Sequence, residues 1–169
     1  AANLPYNIAT PVVSNLLKTD FLPVSMTVTI QKELADRITA HPQTKDYSAL
    51  SVWMQSQCDT QIVRVLPPSV FWPRPKVESA IIHIAPDAER RSRIPDLAGF
   101  HAFVRSMFFH RRKYLRSELL SAYKGVLDKP AVDDILRQQE LEPTCRAEEL
   151  DVAAMLDLFQ AVQAVAGGA

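Results

Sequence analysis

Hydrophobic positions change period several times in the first half of the chain and then keep one period to the end. Ile8, Val12, Val13, Leu16 and Leu17 recur at helical spacing, predicting a helix over residues 9–18 that tolerates Pro11 in its first turn. From Val24 to Gln31 the pattern alternates through Met26, Val28 and Ile30, which predicts a strand. Lys32 to Thr39 is rich in helix formers and stops before His41-Pro42. Ser48 to Cys58 carries Leu50, Val52, Trp53 and Met54 and reads as another helix capped by Ser48. Gln61 to Leu66 is a short apolar strand, and Val77 to Ala85 alternates again. That second alternation puts Ala80, Ile82 and Ile84 on one face and His83 with Ile81 on the other, so His83 reads as a strand histidine, not a ligand. After Asp96 every segment is helical in period: about 96–109, 112–123, 130–140 and 151–165, broken at Gly125 and Pro130 and ended at Gly167-Gly168.

Mixed helices and strands followed by helices alone predict an α/β unit joined to a small all-α domain. The stretch from Pro86 to Pro95 holds Arg90, Arg91 and Arg93 and no large apolar residue before Ile94, which suggests a linker over 89–95 between residues 1–88 and 96–169. With 47% hydrophobic and 22% charged residues the chain can build an ordinary core. No apolar run approaches the roughly 18–20 residues of a membrane span, and no signal peptide precedes the first helix, so a cytoplasmic protein without a membrane partner is expected. Cys58 and Cys145 stand apart without metal-ligand neighbours and read as free thiols in a reducing compartment, with no metal site.

A net charge of zero hides a strong segregation. Residues 60–116 hold 11 basic and 4 acidic side chains, whereas residues 117–169 hold 4 basic and 10 acidic. Such a middle offers a cationic face to phosphate, or pairs its charges with the acidic tail. Within it, Arg105, Arg111, Arg112, Lys113 and Arg116 occur with no acid between them. They suit phosphate contacts that position RNA, or a basic helix end that complements its dipole.

Two stretches carry candidate chemistry. Asn3-Leu4-Pro5-Tyr6 offers a side-chain carbonyl, a main-chain carbonyl beside a proline that cannot join a ladder, and a flat ring. Two acceptors converging on an exocyclic amine would hold its hydrogens and localise its lone pair. A plain loop with a proline turn and a buried tyrosine is the alternative. Pro67-Pro68 and Phe71-Trp72-Pro73-Arg74-Pro75 make a stiff loop, because each proline ring fixes φ.

These stretches, in order, resemble the KsgA-type small-subunit ribosomal RNA adenine N6-dimethyltransferases. The resemblance rests on Asn3 to Ile8, Gln31-Lys32-Glu33, Tyr47 to Ser51, the Pro67 to Val77 loop, Arg111-Arg112-Lys113 and Arg146-Ala147-Glu148. Sister enzymes that methylate large-subunit RNA share the first motif, but the loop and the basic triplet favour the small-subunit group. One departure is Ser117, where the family usually has asparagine. The resemblance implies S-adenosylmethionine-dependent dimethylation of two adjacent adenines near the 3′ end of small-subunit RNA, on an immature subunit. It implies that Asn3 and the Leu4 carbonyl hold the target amine, that Asn3 also faces the donor, and that Pro5 shapes the turn. Tyr6 would stack on the flipped adenine with Phe71 covering its other side, unless Phe71 only pins the loop. Arg74, Lys76, Arg105, Arg111, Arg112, Lys113, Arg116 and Arg146 become RNA contacts.

The resemblance also implies about three strands from the C-terminal half of a Rossmann-like methyltransferase sheet, the last antiparallel, followed by the helical domain. No glycine lies in a strand-to-helix turn, so the donor-binding half is expected to be absent, and this polypeptide alone is expected neither to bind the donor nor to methylate. The strand at Val24–Gln31 would then expose an edge, to be covered by the N-terminal helix or by self-association. A non-catalytic RNA-binding or ribosome-assembly module, and a transcription-factor relative of the same fold, are the alternatives.

Overall fold

The computed structural model describes residues 1–19 and 22–167. Their strands are β1 (Ala2–Asn3), β2 (Met26–Gln31), β3 (Cys58–Leu66) and β4 (Ser79–Pro86). Their helices are α1 (Tyr6–Leu16), α2 (Lys32–Thr39), α3 (Ala49–Gln55), α4 (Ala88–Ser92), α5 (Leu97–Met107), α6 (Leu115–Ala122), α7 (Lys129–Gln138) and α8 (Val152–Ala166). The chain divides into two compact units, one of Ala1–Ala40 with Met54–Arg93 and one of His41–Trp53 with Ile94–Ala169. Among the described residues no helix is long and apolar enough to cross a membrane.

The first unit is built on a mixed sheet of order β1-β2-β4-β3. The last strand, β4, runs antiparallel to both of its neighbours, as expected. Alternation decides its faces: Met26 opposes Ile84, Val28 opposes Ile82, and Ile30 opposes Ala80, and all six are buried. On the other face Thr27 opposes His83, with Oγ1 2.9 Å from Nδ1, so His83 is a partnered strand residue. Ala9, Val13 and Leu17 from α1 and its end are buried, as are Ala35 and Ile38 of α2. The polar side of α2 carries Lys32–Asp36 and Arg37–Glu33 ion pairs at 2.7 and 2.5 Å.

About three strands were expected, and the described residues form four. Ala2 and Asn3 pair in parallel with Val28 and Thr29, and the Leu4 N–H donates to the Thr29 carbonyl at 3.1 Å. A two-residue strand has no alternation to read, so only the fold reveals it. It corrects the expected bare edge: β1, not the N-terminal helix, covers the middle of β2. The first helix also begins at Tyr6, ahead of residue 9, since Pro5 in extended conformation delivers the chain directly into it.

Residues 89–95, expected to be a linker, include α4, which is fastened to the first unit. The Asp87 carboxylate accepts from the N–H groups of Glu89 and Arg90. The Arg90 guanidinium donates to the Cys58 carbonyl at 3.0 Å and pairs with Asp59. The Arg91 guanidinium reaches the carbonyls of Leu17 and Thr19 and the Gln57 side chain. Guanidinium forks onto main-chain carbonyls leave no apolar pattern, so the segment looks like a linker in one dimension.

The second unit buries Phe100, Phe103, Val104 and Met107 of α5 with Leu115, Leu119, Val132, Ile135, Leu136, Met155, Leu158 and Phe159. Phe159 lies 5.4 Å, ring centre to ring centre, from both Phe100 and Phe103. Asp96, Asp128 and Asp151 cap α5, α7 and α8 through side-chain oxygens. At α5 the cap requires Gly99, because a Cβ there would stand 2.2 Å from the Asp96 carboxylate. Gly167 ends α8 as expected, while Gly168 lies outside the described residues.

The expected boundary needs a second correction, because residues 41–53 group with the helices. The buried Tyr47 hydroxyl donates to the Leu150 carbonyl at 2.9 Å, and burial, then Asp151, pushes its phenol well above the ordinary range. Gln43 N–H donates to the Glu148 carbonyl at 2.8 Å, and Trp53 meets His101 edge-on at 4.5 Å.

Candidate functional site

Strand β1, the start of α1 and the proline loop between β3 and β4 converge on a pocket of about 330 Å³. Asn3, Leu4, Pro5 and Tyr6 line it together with Phe71, Trp72, Pro73 and Pro75. All five residues assigned to base chemistry therefore meet in one place. Pairing with β2 fixes the backbone at Asn3 and the Leu4 N–H, while the Leu4 carbonyl accepts no hydrogen bond among the described residues. Tyr6 is partly buried, and its hydroxyl lies 2.6 Å from Oγ of the fully buried Ser79, which holds the ring. Phe71 ends a short 3₁₀ turn at Pro68–Val70, is also partly buried, and lines the pocket.

Ser79, Trp72, Pro73 and Pro75 were not singled out for the site. The prolines and Trp72 were legible as a stiff aromatic loop. Ser79 was not, because its contact with Tyr6 spans 73 residues of chain.

Chemically, the pocket lining supplies acceptors and aromatic rings and no histidine, cysteine, lysine or carboxylate. It suits a flat base with an amine on its edge. The described glycines, Gly99, Gly125 and Gly167, all belong to the helical unit, and none lines the pocket as a cradle for a nucleotide-like donor. The pocket lining offers the Asn3 carboxamide, the Tyr6 hydroxyl and the Trp72 N–H but no charged side chain, a set that does not fit the ribose and amino-acid ends of such a donor.

The basic residues divide. Arg111 lies in the turn between α5 and α6, and so do Arg112 and Lys113, which were expected on a helix over 112–123, because the α6 hydrogen bonds begin only at the Tyr114 carbonyl. Arg111 is spent within its unit: Nε donates to Glu148 at 2.6 Å, and the other nitrogens donate to the carbonyls of Lys45 at 2.5 Å and Thr44 at 3.1 Å. Arg116 pairs with Asp133 through two bonds of 2.5 and 2.8 Å, which hold that carboxyl below its usual range. Arg146 lies 5.9 Å from the centre of the Tyr114 ring. Arg112 and Lys113 are exposed, as are Arg74 and Lys76, and none of the four has an ion-pair partner among the described residues. Arg105 lines a second cavity of about 390 Å³ with Phe109 and the buried Glu118, whose carboxylate lies 3.1 Å from His110 Nδ1. Burial pushes the Cys58 thiol up to about 12, and both cysteines are free.

Residues 1–163 match the family described as ribosomal RNA adenine dimethylase. The chain belongs to that family. It is 42% identical over 154 residues to the ribosomal RNA small subunit methyltransferase A of Halothermothrix orenii, covering 91% of this chain and 51% of the relative. It is 40% identical over 162 residues to the Clostridium perfringens protein of the same name, covering 95% and 55% respectively. The chain thus spans about half the length of these curated relatives. Among solved structures, a dimethyladenosine transferase from Plasmodium falciparum superposes with a TM-score of 0.79 at 24% identity, over 92% of this chain and 63% of that one. The 23S rRNA methyltransferase ErmE superposes with 0.63 at 23% identity, over 96% and 63%. These two likenesses establish the α/β fold with its mixed sheet and helices. The adenine dimethylase family draws its methyl group from S-adenosylmethionine. In this member the unusual Ser117 is exposed, and its N–H donates to the Tyr114 carbonyl.

Proposed function

We propose that the chain carries the target-adenine pocket and the RNA-docking helices of an S-adenosylmethionine-dependent enzyme. Its reaction is N6,N6-dimethylation of two adjacent adenines near the 3′ end of small-subunit ribosomal RNA, within an immature subunit. In this reading the first unit is the C-terminal half of a Rossmann-like methyltransferase sheet, and the second is the RNA-binding domain.

The observation that carries the reading is the meeting of Asn3, Leu4 and Tyr6 with Phe71 in one pocket. An adenine in a duplex is inaccessible, and flipping it out costs a few kcal/mol. Stacking on an aromatic returns about 1–3 kcal/mol per base. Tyr6 and Phe71 supply the two rings. The Asn3 side-chain oxygen and the open Leu4 carbonyl accept the two amine hydrogens, which turns the nitrogen lone pair out of conjugation and toward an electrophile. A sulfonium donor is already activated, so orientation and electrostatics are what the protein must add. The absence of a histidine or carboxylate base from the pocket lining is consistent with that.

The cations Arg74 and Lys76 of the first unit and Arg112 and Lys113 of the second, unpaired among the described residues, are the phosphate contacts, and Arg105 and Arg146 of the second unit add to them. Arg111 and Arg116 support the fold under those contacts. Since β1 pairs with only two residues of β2, a second copy of the chain could add along the remainder of that edge near the exposed Val24, which light scattering would detect.

The test is methyl incorporation into immature small subunits by the full-length protein. Asn3→Ala and Tyr6→Ala should each lower the rate by about 100-fold or more, the size of losing one preorganised acceptor or stacking partner. Undiminished rates in both variants would overturn the site assignment. Tight subunit binding by wild type without incorporation would favour a non-catalytic assembly module.

A further inference from the structure

Trp72 is out of place for a globular protein. It is 97% exposed, whereas the other tryptophan, Trp53, is 2% exposed. An indole left in water forfeits a large burial gain, and stiff loops rarely hold one there without a partner. The loop around it is braced: Pro67, Pro68, Pro73 and Pro75 restrict φ, and the β3 and β4 ends pair at Leu66 and Ser79. Trp72 is thus displayed on a fixed arm, not on a floppy one.

Its neighbours define what would cover it. Trp72 lines the same pocket as Tyr6 and Phe71 and directly follows Phe71 in the chain. Arg74 and Lys76 are exposed on the same loop without an ion-pair partner among the described residues, and Glu78 is its one acid. Cations interleaved with unburied aromatics form a platform for single-stranded nucleic acid, where successive bases stack on successive rings and phosphates meet the cations. A protein partner of apolar chemistry would not require the two unpaired cations.

The geometry points to a second base-binding subsite: Trp72 stacks on the unpaired base that flanks the target adenine, with Arg74 and Lys76 on the adjoining phosphates. This deepens the proposed function and rests on the pocket being the target-base site. Trp72 is a positioning residue. It holds the strand so that the target base stays flipped, and it also gives the reaction a requirement for an unstacked neighbour.

The test uses the full-length protein and a short single-stranded RNA containing adjacent adenines, with and without an abasic position next to the target. The emission lost between wild type and Trp72→Phe reports Trp72, and that difference should be quenched by the intact RNA, while the emission left in Trp72→Phe should show little quenching. Trp72→Ala should raise KM about tenfold with kcat little changed, and Trp72→Phe should restore most of the loss. The abasic RNA should bind wild type and Trp72→Ala equally. If Trp72→Ala matches wild type in KM on intact RNA and no quenching occurs, the subsite is wrong while methylation by wild type still supports the pocket. If wild type quenches on RNA but never methylates immature small subunits, the subsite stands and the catalytic reading fails.

Discussion

The proline-loop pocket and the basic turn before α6 both contain polar groups that one expects to meet RNA, yet the fold treats them differently. In the pocket the functional atoms are left open: the Leu4 carbonyl has no partner among the described residues, Trp72 lies in water, and Tyr6 is tethered through Ser79. In the basic turn and the first residues of α6, two of the cations are consumed. Arg111 bridges Glu148 with the carbonyls of Thr44 and Lys45, and Arg116 grips Asp133. Partnering therefore separates groups that recognise a ligand from groups that hold the scaffold, where proximity in sequence does not.

Substitutions can break that contrast, and the largest effects should fall at its extremes. Tyr6→Ala should abolish about 99% of methylation while leaving the melting temperature within a few degrees. Phe159→Ala should do the reverse, removing about 3–5 kcal/mol of stability from the helical unit in denaturant unfolding, because its ring joins Phe100 and Phe103 in a closed core. If Tyr6→Ala unfolded the protein instead, the pocket would be scaffold.

Within the basic turn the contrast predicts a split between neighbours. Arg111→Ala should cost about 1–2 kcal/mol of stability, since three charge-assisted bonds fall away from a half-exposed side chain. Arg112→Ala and Lys113→Ala should leave stability unchanged. Each should instead lower the slope of log K for RNA binding against log salt by roughly 0.7–0.9. Equal thermal shifts at all three positions would erase the distinction.

The smallest effect is electrostatic. Hydrogen bonding to Arg116 lowers the Asp133 pKa from 3.8, so the pair's stabilisation is present above that value and fades as pH falls through the folded pKa. The melting-temperature difference between wild type and Arg116→Met should therefore be constant near neutrality and shrink below pH 3.8. A difference that persists at lower pH would assign the effect to packing of the arginine stem.

Much of the fold was legible because local period reports local burial. The β2 and β4 alternation placed Val28, Ile30, Ala80, Ile82 and Ile84 correctly, and helical spacing found α5 to α8. Segments whose partners are distant carried no such signal. Residues 41–53 join the helices through Tyr47, Trp53 and Gln43, contacts that no nearby residue announces. Residues 88–92 form a helix whose arginines are satisfied by carbonyls dozens of residues away.

By itself the sequence determined the residue types of the site and their order: acceptors and a ring at Asn3 to Tyr6, a stiff aromatic arm at Phe71 and Trp72, and cations in the middle. Those choices are written in side-chain chemistry and in the fixed φ of proline, which need no tertiary context. Only the tertiary structure decided that the first two groups share a pocket, that Ser79 holds Tyr6, that β1 covers β2, and which cations remain free. Each of those depends on a contact closed across long stretches of chain, and such closure is a property of the packed whole.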